Sequence, residues 1–88
     1  MRAWLEGVFA EALGAIGAEI PEGGIPFEKP KQEDHGDLST SIALQLARPL
    51  KQNPRAIAQR IVDALVLDPQ RIAAVEIAGA GFINLRYS

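Results

Sequence analysis

A chain of 88 residues with 48% hydrophobic and 23% charged residues carries enough apolar material for one modest core and too much for a disordered segment. Its net charge of −2 argues against a strongly basic, wrap-around polyanion binder. The absence of cysteine and the single histidine remove disulfides, thiolate chemistry and a histidine-built metal site. No apolar run approaches the ~18 residues of a membrane span and no basic-then-apolar leader opens the chain, so the expected setting is cytoplasmic without membrane contact.

Trp4, Leu5, Val8, Phe9, Ala12, Leu13 and Ile16 fall on a 3.6-residue stripe and predict a first helix, with Trp4 and Phe9 in the core. Pro21-Glu22-Gly23-Gly24 has turn composition, and Ile25 to Lys29 alternates as a short strand placed at a sheet edge by Pro26 and Pro30. The polar run from Glu33 to Asp37 then separates it from a second stripe, Leu38, Ile42, Ala43, Leu46, Ala47 and Leu50. That stripe predicts a second helix capped by Asp37 or Ser39 and ended or kinked by Pro49. Asn53-Pro54 is an N-cap followed by proline at the first helical position, opening a third helix whose apolar face is Ile57, Ala58, Ile61, Val62 and Leu65.

Past Asp68-Pro69 the period changes to two. Val75 and Ile77 alternate with Glu76 and Ala78, Gly79-Ala80-Gly81 supplies a turn, and Phe82 to Tyr87 returns as the hairpin partner. Helix, strand, two helices and a hairpin predict a single α+β domain over residues 1–88. The economical arrangement is a two-layer sandwich, a small and mostly antiparallel sheet with the helices packed on one face. A monomer is expected.

Candidate chemistry concentrates in the last strand. Ile83, Leu85 and Tyr87 point to one side, a plausible core face, while Phe82, Asn84 and Arg86 point to the other. An aromatic plane, an amide that both donates and accepts, and a fixed cation at alternate positions are the parts of a base-reading platform. The same pattern also accommodates Phe82 packed under a helix and Asn84 as a solvated strand residue. His35-Gly36-Asp37 lacks a nucleophile, since Ser39, Thr40 and Ser41 suit a helix start, and no catalytic residue is assigned. Gly79-Ala80-Gly81 leads into a strand instead of a helix, which removes a dinucleotide cradle.

Charge is divided unevenly along the chain. Residues 1–40 hold three cations against eight carboxylates, a net of −5, and residues 41–88 hold six against three, a net of +3. A nucleic acid would therefore meet the second half. Arg48, Lys51, Arg55 and Arg60 are either a solvated face or, for Arg48, Lys51 and Arg55 in particular, auxiliary phosphate contacts.

Two segments carry a resemblance: His35-Gly36-Asp37-Leu38-Ser39-Thr40-Ser41-Ile42-Ala43-Leu44 with Leu46-Ala47, and Val75-Glu76-Ile77-Ala78-Gly79-Ala80-Gly81-Phe82-Ile83-Asn84. Both resemble hallmark segments of the arginyl-tRNA synthetase N-terminal additional domain, in that family's order and spacing from the first helix to Ser88. Ala80 stands where the family commonly has proline and Ser41 where asparagine is frequent, which implies a more flexible turn.

The resemblance implies a tRNA-binding accessory domain that grips the D-loop corner of arginine tRNA. Phe82 and Asn84 take the base-reading roles, and Gly79 and Gly81 match the motif as turn residues with RNA contact possible. Arg86 joins the tRNA-binding set from strand geometry alone. The implied parent joins arginine to tRNA with ATP and magnesium, the remainder of the synthetase acting in cis, and this domain is expected to hold no cofactor and no metal. A free-standing or repurposed protein-interaction domain of the same fold is the alternative.

Overall fold

The computed structural model describes residues 2–30 and 36–88. In chain order these form α1 (Arg2–Ala15), β1 (Phe27–Glu28), β2 (Leu38–Thr40), α2 (Ile42–Leu50), α3 (Pro54–Ala64), β3 (Ile72–Ala78) and β4 (Phe82–Tyr87). The four strands make one sheet in the order β1-β2-β4-β3 with every neighbouring pair antiparallel. The helices cover one face of it, so the α+β two-layer arrangement expected from the sequence is the observed one. As expected from its prolines, β1 is an edge strand.

The apolar stripes converge on a single core. Leu5, Phe9 and Leu13 of α1, Ile42 of α2, Ile57 and Ile61 of α3, and Ile83 and Leu85 of β4 are fully buried. Phe9 meets Phe27 of β1 edge to face, with ring centroids 5.4 Å apart, a favoured aromatic geometry. Trp4 is only partly buried; the Arg71 guanidinium lies 4.9 Å from its ring centroid. The tryptophan thus seals the rim of the core, while Phe9 fills its centre.

Helix ends follow local chemistry. Asn53 Oδ1 accepts a 2.8 Å hydrogen bond from the Arg55 amide, the N-cap expected at α3. α2 ends at Leu50, one residue after Pro49, and is capped by Lys51, which adopts a left-handed conformation at φ 53°. Arg60 of α3 donates to the Gln52 side chain at 3.0 Å and to the Ile16 carbonyl at 3.1 Å. It ties the tail of α1 to the α2–α3 junction, so this arginine has a structural occupation.

The principal departure from expectation lies at residues 38–40. Leu38 was expected to open the second helix; instead Leu38–Thr40 is strand β2, paired with β4 on one side and β1 on the other. Leu38 and Thr40 face the core and are buried, so Leu38, which also falls on the helical stripe, fits an alternating strand equally well. The expected caps do not form. The Asp37 carboxylate accepts from the Tyr87 amide at 2.8 Å, and the Asp37 amide donates to the Leu85 carbonyl at 2.8 Å, extending the β2–β4 ladder. Thr40 Oγ1 accepts from the Ile42 amide at 3.2 Å and serves the start of α2. Glu33, Asp34 and His35, which the sequence suggested as a polar break, lie outside the described residues.

Candidate nucleic-acid interface

The hairpin register decides which side chains share the face away from the helices. Its turn is closed by the pair Ala78↔Phe82, after which Ile77↔Ile83, Glu76↔Asn84 and Val75↔Leu85 follow, before an irregularity between Ile72 and Ala74. Ile83 and Leu85 are fully buried toward the helices. Alternation therefore sends Phe82, Asn84 and Arg86 to the open face. This is the division read from the sequence, with one exception: Tyr87, assigned to the core face, is 38% exposed at the strand's end.

Phe82 is 39% exposed, a large aromatic left partly in solvent in a domain of this size. Its ring lies against the turn: a Cβ placed on Gly79 would be 3.7 Å from Phe82 Cδ2. Gly79 and Gly81 both have positive φ, 55° and 139°, and the Gly81 amide returns to the Ala78 carbonyl at 3.2 Å. These torsions fold the turn tightly enough to set Phe82 immediately after it.

The turn rests on the N-terminus of α3. An ideal Cβ on Gly81 would stand 2.9 Å from Pro54 Cβ, and the Arg55 guanidinium donates to the Gly79 carbonyl. Pro54 and Arg55 are where they are because Asn53 starts the helix there. The structure thereby brings Arg55, Gly79, Gly81 and Phe82 into one assembly drawn from segments 24 residues apart. Arg48 and Lys51 are exposed on the last turn and cap of α2; neither makes a hydrogen bond to the turn.

Asn84 departs from the expectation of an uncovered carboxamide, since it is 6% exposed. It sits in an interior strand, with Ser39 of β2 in register on one side and Glu76 of β3 on the other. Glu28 continues the same rung on β1. One polar residue from each strand thus crosses the open face in the order Glu28, Ser39, Asn84, Glu76. Among the described residues no side-chain hydrogen bond joins them, and no buried side-chain nitrogen or oxygen is left without a partner. The Asn84 amide therefore keeps contact with solvent, through a depression lined by Gly36, Ala74, Glu76, Asn84, Leu85 and Arg86.

Glu76 and Ser39 were not singled out from the sequence as site residues. Glu76 was legible in principle: once Ala78 and Phe82 close the turn, counting back two residues on each strand sets Glu76 opposite Asn84. Ser39 was not, because Leu38 beside it also fits the stripe of the following helix.

Gly36 sustains the same side of the sheet. It has φ 104°, and a Cβ there would come within 2.7 Å of the Leu85 carbonyl oxygen. Backbone thus approaches backbone where a side chain would force β2 and β4 apart.

Comparison with known proteins agrees with this arrangement. Residues 4–87 match the family model described as the arginyl tRNA synthetase N terminal domain. An arginine–tRNA ligase of Bordetella avium is 53% identical over 79 residues, covering 84% of this chain and 14% of the relative. That of Cupriavidus metallidurans is 47% identical over 90 residues, covering 96% of this chain and 15% of the relative.

Among solved structures, Thermus thermophilus arginyl-tRNA synthetase superposes with a TM-score of 0.83 at 26% identity, covering 100% of this chain and 14% of that one. Plasmodium falciparum arginyl-tRNA synthetase shares the fold, with a TM-score of 0.79 at 14% identity over 98% of this chain and 16% of that one. The chain spans about one seventh of the length of these curated relatives. By the match over residues 4–87 and by these identities, the chain belongs to the arginyl-tRNA synthetase N-terminal domain family.

Proposed function

We propose that this domain docks on tRNA through the turn end of the β3–β4 hairpin, reading an unpaired D-loop base of arginine tRNA. The observation that carries the reading is the half-exposed Phe82 ring beside Asn84, whose side chain makes no hydrogen bond among the described residues. A base stacked on the ring gains ~1–3 kcal/mol, and the Asn84 amide offers both a donor and an acceptor to the base edge. Arg55 at the turn and Arg86 on the strand supply cations for flanking phosphates. Arg48 and Lys51 extend that charge along α2 as auxiliary contacts, while Gly79 and Gly81 shape the turn.

In this reading the domain supports arginylation carried out by the rest of the synthetase in cis, with ATP and magnesium, and performs no chemistry itself. The described residues do not suit either ligand. The Gly79–Gly81 turn joins two strands, so it is not the strand-to-helix loop that cradles a nucleotide phosphate. No three His, Asp or Glu side chains are grouped for a cation among the described residues.

The test is an NMR titration of the chain with arginine tRNA at low salt, against a tRNA altered only in its D-loop. Chemical-shift changes concentrated at residues 79–86 and reduced by the D-loop change are expected. Equal responses to both tRNAs, or binding that tolerates both Phe82→Ala and Asn84→Ala, would instead assign the surface to another partner, such as a protein.

A further inference from the structure

The Asn84 subsite has a wall that the base-reading account does not use. Glu76 stands directly opposite Asn84 on the neighbouring strand and on the same face, where side chains of paired residues lie within about 4.5–5.5 Å at Cβ. Glu76 is exposed and, together with Arg86, lines the same depression as Asn84. Among the described residues it takes part in no ion pair or hydrogen bond. Asn84 itself is more than nine-tenths buried and still unbonded at its side chain. An amide and a carboxylate therefore face one small opening with their hydrogen-bonding capacity unspent.

We propose that Glu76 is a specificity-determining residue that restricts the Asn84 subsite to an unpaired base bearing an exocyclic amine. The assignment rests on the tRNA-docking reading and adds the chemical class of base that the site accepts. An ionised carboxylate only accepts hydrogen bonds. An exocyclic amine carries two N–H donors, one for Glu76 and one for the Asn84 carbonyl oxygen. The Asn84 amide nitrogen remains free to donate to an adjacent acceptor on the base.

Adenine, cytosine and guanine each carry such an amine. Uracil instead flanks its single N–H with carbonyl oxygens, so an oxygen faces the carboxylate with no proton between them. Phosphate is disfavoured on the same ground. Next to Glu76 the slot therefore takes a base edge, while a flanking phosphate falls to Arg86, which lines the same depression.

The 88-residue chain is titrated at low salt with arginine tRNA transcripts in which each unpaired D-loop position carries adenine, cytosine, guanine or uracil in turn. The position read is the one whose base dependence disappears in Phe82→Ala. There, uracil is expected to bind about tenfold more weakly than the best amine-bearing base, the discrimination typical of one good base-edge contact.

Glu76→Gln replaces the acceptor-only group with an amide that also donates. It should bring the bases to within about twofold while tightening every transcript, because one negative charge is gone. Glu76→Asp keeps the charge and should keep uracil the weakest. An unchanged melting temperature for Glu76→Gln separates these effects from misfolding.

Discrimination against uracil that survives Glu76→Gln, or a wild-type chain that binds uracil as well as the other bases, overturns the assignment and leaves docking intact. Binding indifferent to Phe82→Ala at every position overturns the docking reading itself.

Discussion

Gly81 and Pro54 approach so closely that a Cβ on the glycine would lie 2.9 Å from the proline Cβ and 3.0 Å from its carbonyl carbon. The turn that presents Phe82 and the first residue of α3 therefore fit only because position 81 has no side chain. Sheet and helix are locked together at the candidate interface, so the placement of the aromatic ring depends on a helix that begins 28 residues earlier in the chain.

Gly81→Ala combines this clash with a φ of 139° that L residues rarely adopt. A backbone outlier costs of order 1–3 kcal/mol and an overpacked contact a similar amount, so a loss of about 2–4 kcal/mol in unfolding free energy is expected. The melting temperature should fall by about 10 °C or more for a domain of this size. Thermal and urea denaturation check it; a loss below ~1 kcal/mol would mean that the α3 N-terminus is free to move away from the turn.

Phe82→Ala should separate stability from binding. The ring is 39% exposed and leans on the turn, outside the core, so the fold should lose less than ~1 kcal/mol. Affinity for arginine tRNA should weaken by ~1–3 kcal/mol, the usual worth of a base stacked on an aromatic ring. Fluorescence anisotropy beside a denaturation curve measures both. A large stability loss with unchanged affinity would reassign the residue to packing.

Arg55 and Arg60 lie five residues apart on α3 and should respond oppositely to substitution. Arg55 reaches the Gly79 carbonyl on the interface side, and Arg55→Gln should lower the slope of log affinity against log salt by ~0.7–0.9, one phosphate contact. Arg60 is committed to Gln52 and the Ile16 carbonyl. Arg60→Gln should leave the salt slope alone and cost about 1 kcal/mol of stability, the scale of a lost hydrogen bond. Salt titrations on the two variants decide it.

The helices were legible because their stripes are long and their signals local: Asn53-Pro54 fixes the start of α3 without reference to anything else. The hairpin was legible for the same reason, since alternation and a glycine turn adjoin in sequence. Strand β2 was not, because Leu38 also continues the stripe of the following helix and Leu38–Thr40 is too short to show alternation by itself. Only pairing with β4, more than forty residues away, selects the extended form. The same ambiguity hid Ser39. It also gave Asp37 a capping role, whereas its carboxylate meets the Tyr87 amide fifty residues on. The low exposure of Asn84 was hidden likewise, because β4 reads as one half of a hairpin until its pairing with β2 is known.

Asn53 allows a final test in which helix capping and interface electrostatics are pulled apart. Its side-chain oxygen accepts from the Arg55 amide at 2.8 Å, so Asn53→Ala should cost about 1 kcal/mol of stability, the usual value of an N-cap. Aspartate caps as well as asparagine and favours the positive end of the helix dipole, so Asn53→Asp should hold stability at or slightly above the parent level. The added carboxylate, however, lies two residues from Arg55 and beside the turn. If phosphate approaches there, Asn53→Asp should weaken tRNA binding at low salt, with the penalty shrinking as salt screens it over a Debye length of ~10 Å at 0.1 M. Asn53→Ala should show the reverse pattern, with lower stability and near-parental affinity while the domain remains folded. Equal affinity for the aspartate variant and the parent at low salt would place the RNA backbone away from the α3 N-terminus, and would leave Arg86 as the nearer cation for it.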